Sequence, residues 1–148
     1  MSKLTALTLQ QFYEKLNTSI MHAGGLSAFA ARHGLPVRLV SDTQSARSNP
    51  GPRILSAMGY VRLLVWPVIN EPGHYLRQKQ VYEKLNTAVR ECGSQVEFAR
   101  NCCIAPSTLS NIMNGARGFT PVLSALGLGV SVARYIPAKE IRWEANHG

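Results

Sequence analysis

Residues Tyr13–Thr18 read Tyr-Glu-Lys-Leu-Asn-Thr, and the same six residues return at Tyr82–Thr87, 69 positions later. Identity of this length at a fixed offset is the mark of an internal repeat, which constrains the architecture more than any local pattern. The match continues: Phe29-Ala30 returns as Phe98-Ala99 and Ser41 as Ser110. After a one-residue gap near Arg53, Leu55-Ser56-Ala57-Met58-Gly59 returns as Leu123-Ser124-Ala125-Leu126-Gly127. Each half of the 148 residues therefore encodes the same small unit. A unit of about 70 residues is close to the smallest that closes its own core. The economical arrangement is two lobes, 1–69 and 70–148, packed as a single-chain pseudo-dimer.

Within the unit the apolar spacing is helical first and strand-like last. Thr8 with Gln11 three residues on fits a capping box, and Leu9, Phe12, Tyr13, Leu16 and Ile20 follow the period of a helix that stops at Gly24-Gly25. The second copy repeats this with Leu76, Val81, Tyr82, Leu85 and Val89. Two short helices follow, about 26–33 and 37–44 in the first copy and 94–102 and 106–113 in the second. Pro106 suits a first helical turn, where its missing N–H costs little. A fourth short helix covers about 52–58 and 121–126. The period then changes: 60–66 and 130–136 are β-branched and aromatic and are bounded by Pro67 and Pro137. One strand alone leaves its backbone groups unpaired. The expectation is a two-stranded antiparallel ribbon across the pseudo-two-fold, built from Val61, Leu63, Val65, Val130, Val132 and Arg134, with 67–74 as the linker. The fold class is mainly α.

The net charge is +8 with a pI near 9.9. Residues 1–72 hold seven Lys/Arg against three Asp/Glu and residues 73–148 nine against five, so each half is +4. A surplus spread this evenly points to a polyanionic partner, nucleic acid first. No apolar run is long enough for a signal or membrane helix, so the chain reads as soluble and cytoplasmic. Cys92, Cys102 and Cys103 are odd in number and two are adjacent, a poor disulfide framework. They lack the paired spacing of a zinc site, with His74 and His147 unsupported as ligands. Buried, reduced thiols are the expectation, with no metal and no cofactor. Eight acidic residues and four scattered histidines form no phosphate loop, nucleophile triad or metal quartet, so the reading is not an enzyme.

The segment Gln95–Ile112 resembles the helix-turn-helix of the Cro/CI (lambda-repressor-like, XRE) family. Small Ala99 stands at the helix crossing, Ile104, Leu109 and Ile112 stand where the second helix packs on the first, and Asn114-Gly115-Ala116-Arg117 looks like the family's Asn-Gly-x-Arg tail. The Leu-x-Ala-Leu-Gly ending followed by a strand resembles antitoxin-type and phage-type members. In the first copy Ala30, Gly34, Leu35 and Val40 keep the framework, while Leu26 replaces Gln95, Asp42 replaces Asn111, and the tail Gln44-Ser45-Ala46-Arg47 lacks Asn-Gly. Gly34 is the expected turn residue; Cys103 in its place strains the second turn.

The resemblance implies tandem lobes that bind double-stranded DNA as a monomeric pseudo-dimer, the second helix of each pair entering the major groove. Base-reading would fall to Ser107, Thr108 and Asn111 in the second copy and to Arg38, Ser41 and Asp42 in the first. Asn pairs with adenine, Arg with guanine, and a carboxylate accepts from the cytosine amino group. Gln95, Arg100, Arg117 and Arg47 would hold phosphates. In dimeric relatives two identical helices read a palindrome about 34 Å apart; here the reading positions differ, so the operator would have unlike half-sites. The implied role is a transcriptional regulator, a repressor first and an activator second, in a phage or mobile-element setting. The rival is an antitoxin or adaptor that holds a partner protein, such as a toxin or RNA polymerase, on the ribbon or on the tail 138–148 with Ile141 and Trp143. Trp66 and Trp143 read as packing residues, and the repeated hexapeptide as scaffold with solvated Glu14 and Glu83.

Overall fold

The computed structural model describes residues 5–47 and 49–141. It is mainly helical, in the order α1 (Leu9–Ala23), α2 (Leu26–His33), α3 (Val37–Gln44), α4 (Pro52–Met58), β1 (Tyr60–Pro67), β2 (Tyr75–Leu76), α5 (Gln78–Cys92), α6 (Gln95–Asn101), α7 (Pro106–Met113), α8 (Thr120–Leu126) and β3 (Val132–Pro137). The four-helix order is thus written twice, each time with a strand after it. No described helix is long and apolar enough to cross a membrane.

Local chemistry explains the helix limits. At the start of α1 the Gln11 backbone N–H donates to Thr8 Oγ1 (3.2 Å) and the Thr8 N–H donates to Gln11 Oε1 (2.8 Å), which satisfies two donors that would otherwise be orphaned. At α5 only the second half survives: the Arg77 N–H donates to Gln80 Oε1 at 2.9 Å, and an arginine side chain has no acceptor to offer in return. Helices α1, α2, α4 and α8 each stop at a left-handed glycine, the conformation in which a Cβ is costly.

The chain divides into two compact units, and they do not coincide with the halves 1–69 and 70–148. One unit is Leu64–Val132; the other joins the residues before Leu64 to those from Ala133 onward. In the latter, Phe12, Leu16, Ile20, Phe29, Ala30, Val40, Ile54 and Leu55 form a core with Tyr135, a residue from the end of the second copy. The Tyr135 ring lies 5.0 Å from that of Phe12. Leu7 and Tyr135 exchange two backbone hydrogen bonds of 2.9 Å, and the Ala138 N–H donates to the Gly59 carbonyl at 2.9 Å. In the Leu64–Val132 unit the same pattern runs the other way. Leu85, Phe98, Ala99, Leu109, Ile112, Val122 and Leu123 form the core, and Trp66, from the end of the first copy, packs on it. The Trp66 ring meets Phe119 edge-on at 5.3 Å. Trp66 pairs with Leu76 in an antiparallel register, and the Ile69 N–H donates to the Gly127 carbonyl at 3.0 Å. Trp66 and Tyr135 lie at the repeat offset, as do Leu7 and Leu76. Each set of helices is therefore closed by the strand that follows the other set.

The strands form one small antiparallel sheet in the order β2-β1-β3. This corrects the two-stranded ribbon: β2 adds a third strand, because the segment after Pro67 folds back and pairs Tyr75 with Pro67. Val130 lies outside β3 and is exposed, whereas Val65 is fully buried. Val61, Leu63, Val132 and Arg134 are half-buried in their strands. The Arg134 guanidinium donates from Nη1 to the Ala133 carbonyl at 2.8 Å.

Truncating a buried aromatic residue costs about 3–5 kcal/mol. Tyr135→Ala is expected to cost close to that in denaturant unfolding. Amide exchange is expected to speed up in α1 and α2, which lie more than a hundred positions away in sequence, before it does so in α5 and α6. Uniform loss of protection, or loss confined to α5–α8, would contradict the exchanged-strand core.

Candidate nucleic-acid interface

The site residues lie on two helix pairs, α2–α3 and α6–α7, one in each unit. In the first pair Ala30 is buried at the crossing, and Val40 and Thr43 anchor α3 from beneath. The Thr43 hydroxyl is satisfied by its own helix, donating to the Leu39 carbonyl at 2.9 Å. That leaves the outer side of α3 open. Arg38 is exposed, while Ser41 and Asp42 are half-buried. Arg38 Nε stands 3.9 Å from Asp42 Oδ2, with the Arg38 side chain 93% exposed. A surface pair of that length holds neither partner firmly.

The second pair is built alike. Ala99 is fully buried at its crossing, and Leu109 and Ile112 seat α7, with Ile104 packed against the same core. Ser107 and Asn111 are exposed, and Thr108 and Ser110 half-buried. Gln95 opens α6 behind its cap, Ser94, whose Oγ accepts the Glu97 N–H at 3.2 Å. Arg100 is exposed and pairs with Glu97 at 3.0 Å. Thus Ser107, Thr108 and Asn111 lie on one helix, with Gln95, Arg100 and Arg117 on the elements flanking it. In the first copy Arg38, Ser41 and Asp42 share α3, and Arg47 follows just after its end.

The turns repeat in backbone even where the side chains do not. Gly34 has φ +64° and Cys103 φ +57°. The next N–H closes each turn in the same way, Leu35 to the Ala30 carbonyl at 2.8 Å and Ile104 to the Ala99 carbonyl at 3.0 Å. After the second helix Gly115 has φ +80° and its counterpart Ala46 φ +61°. Arg47 N–H then donates to the Asp42 carbonyl and Ala116 N–H to the Asn111 carbonyl, both at 2.9 Å. The missing Asn-Gly of the first copy therefore does not change the path of its tail. Each copy keeps glycine at one left-handed position and a side chain at the other.

The thiols differ from expectation. All three cysteines are free, but none is buried: Cys92 and Cys102 are half-buried and Cys103 is exposed. Burial pushes the Cys102 thiol above its ordinary range, helped by the neighbouring Cys92 and Cys103. The left-handed turn swings Cys103 outward. Among the described residues no group of His, Cys, Asp and Glu is arranged to hold a metal ion. Trp66 packs as expected; Trp143 and His147, with most of the tail, lie outside the described residues.

The charge divides less evenly by compact unit than by sequence half. The described residues of the unit that holds the first helix pair carry Lys15, Arg32, Arg38, Arg47, Arg53, Arg62, Arg134 and Lys139 against Glu14, Asp42 and Glu140, a surplus of five. The Leu64–Val132 unit carries six Lys/Arg against four Glu, a surplus of two. Arg32, Arg38, Arg47 and Arg53 are all exposed. Arg53 leans on the turn, Nη2 donating to the Gly34 carbonyl at 3.3 Å. Arg32 and Arg53 lie outside the motif positions, and the motif match is better in the second copy. A charge count helix pair by helix pair would have found them. The chain matches no family model, and no curated protein or solved structure is significantly similar to it.

A left-handed conformation costs a residue with a Cβ about 1–2 kcal/mol, less the entropy glycine loses on folding. Cys103→Gly and Ala46→Gly are each expected to raise unfolding free energy by about 0.5–1 kcal/mol. Gly34→Ala is expected to lower it by a similar amount through φ alone, since no atom lies within 4 Å of the added Cβ. Alkylation with iodoacetamide near neutral pH is expected to mark Cys103 well before Cys102, read by peptide mass. Equal rates would contradict the turn geometry.

Proposed function

We propose that the protein is a sequence-specific double-stranded DNA-binding regulator, a repressor first, in which tandem helix-turn-helix lobes of one chain act as a pseudo-dimer on unlike half-sites. The observation that carries this reading is the paired one. Two helix pairs share one backbone turn for turn, bury the small residue at each crossing, and leave polar side chains outward on the second helix. A helix held this way fits the major groove with its first turns toward the base edges.

The two surfaces divide the work differently. The unit that holds the first helix pair carries the larger cationic surplus, and Arg38 on its α3 is suited to guanine. The second copy has a neutral reading helix in which Asn111 is suited to adenine and Ser107 and Thr108 to several bases. Phosphate contacts position and base contacts specify, so the first lobe contributes more of the salt-sensitive affinity and the second more of the discrimination. A polyanion partner also accounts for the overall charge of +8.

Selection of bound sites from a random duplex pool tests this. The expected result is one enriched site with two unlike halves; no enrichment at low salt would end the proposal. On that site Asn111→Ala is expected to cost about 1–3 kcal/mol and relax preference at one base position. Arg47→Ala is expected to weaken binding to all sequences alike and to lower the slope of log affinity against log salt by about 1.

A further inference from the structure

The longest contiguous stretch that the two copies share unchanged is not on the reading helices. It is the middle of α1 and α5, and packing explains only part of it. Leu16 and Leu85 are fully buried, and Tyr13 and Tyr82 are half-buried. Glu14, Lys15, Asn17 and Thr18, and their counterparts Glu83, Lys84, Asn86 and Thr87, are all exposed. None of the four Glu and Lys residues makes an ion pair among the described residues. Exposed positions beside them have diverged freely: Gln10 against Lys79, Met21 against Arg90, His22 against Glu91. A solvated helix face has no reason to hold Glu, Lys and Thr in place twice while its borders drift.

Gln11, Glu14, Lys15 and Thr18 stand at i, i+3, i+4 and i+7, so they form one face of α1. That face walls a groove of about 620 Å³ whose lining includes Leu7, Met58 and Tyr60. Gln80, Glu83, Lys84 and Thr87 wall a groove of about 570 Å³ whose lining includes Leu76, Leu126 and Val68. The same four polar residues thus border a groove in each unit, with the corresponding leucines Leu7 and Leu76 in its lining.

We propose that this face is a self-association surface on which a second copy of the chain lays its own corresponding helix antiparallel. The face is complementary to itself. Under a two-fold axis passing between positions 14 and 15, Glu14 meets the other molecule's Lys, Lys15 meets its Glu, and Gln11 meets its Thr. Such an isologous contact needs only one patch on each molecule. The polar ends match in hydrogen bonding as well. Gln11 Oε1 is already taken by the Thr8 N–H, which leaves its amide as donor. The Thr18 hydroxyl already donates to the Glu14 carbonyl at 3.0 Å, which leaves its oxygen as acceptor. Because α5 carries the same Glu-Lys pair, α1 against α5 sets Glu14 opposite Lys84 and Lys15 opposite Glu83. The contact is weak, concentration-dependent and sensitive to salt, as exposed ion pairs are.

Sedimentation equilibrium of the full chain without DNA, at low and high salt, tests this independently of any DNA reading. The wild type is expected to gain mass with concentration, less so in high salt. Glu14→Lys with Glu83→Lys, and separately Lys15→Glu with Lys84→Glu, are each expected to weaken association at least about tenfold, although they move net charge in opposite directions. The fourfold exchange of all these charges is expected to restore it, because Lys then faces Glu again. A wild type that stays monomeric into the millimolar range would overturn the proposal. So would twofold variants that associate as the wild type does, or a fourfold variant that folds by circular dichroism yet stays monomeric.

Discussion

The Tyr135 ring against Phe12 and the Trp66 ring against Phe119 close two small cores with side chains that arrive from the wrong copy in sequence. A unit of about 70 residues has little apolar area to spare, and a strand with no partner leaves donors and acceptors unmet. Exchange answers both needs at once. Each strand pairs with the residues just before the other copy's first helix, Leu7 in one case and Leu76 in the other. The seat for each helix pair therefore depends on residues that the repeat assigns elsewhere. Neither half of the sequence is a complete unit, and the fold holds together as one chain because each half lacks what the other carries.

That dependence leaves the surfaces free to drift while the backbone is held. The turn after α2 and the turn after α6 have the same left-handed residue whether it is Gly34 or Cys103. The path beyond α3 matches the path beyond α7 although Ala46 stands for Gly115. On top of this common frame the outward residues have separated: Arg38 and Asp42 on one helix, Ser107 and Asn111 on the other. A homodimer cannot separate its two corresponding surfaces in this way, since both come from one sequence. The face that has not separated, around Glu14-Lys15 and Glu83-Lys84, is the one that gains nothing from divergence if it must meet its own copy.

Most of the helical framework was legible beforehand because each helix carries its own punctuation. Thr8 and Gln11 mark the start of α1, Pro106 the start of α7, and the glycines at 24, 34, 59 and 127 the ends of four helices. The alanines at the crossings, Ala30 and Ala99, are placed there by the family resemblance, and both are buried. What was not legible was long-range. Nothing in 60–67 or 132–137 says which core a strand will join, and periodicity cannot distinguish a strand that returns to its own helices from one that crosses to the other set. β2 was missed because two residues, Tyr75 and Leu76, are too short to show alternation. The thiols were misplaced because a cysteine is commonly a buried residue, whereas the positive φ at Cys103 turns that side chain outward. The proposed base-reading positions rest on the family resemblance, since Ser41, Asp42 and Thr108 are half-buried and exposure does not mark them.

The central proposal is that one chain engages DNA with both of its helix pairs. A hydroxyl-radical footprint on a selected site, taken at a measured ratio of one chain to one duplex, addresses that directly. The expected result is two protected patches on one face of the duplex, about one helical turn apart, with loss of only one patch when Arg38 is changed and of only the other when Asn111 is changed. A single patch, or two patches that appear only when two chains are bound, would contradict it.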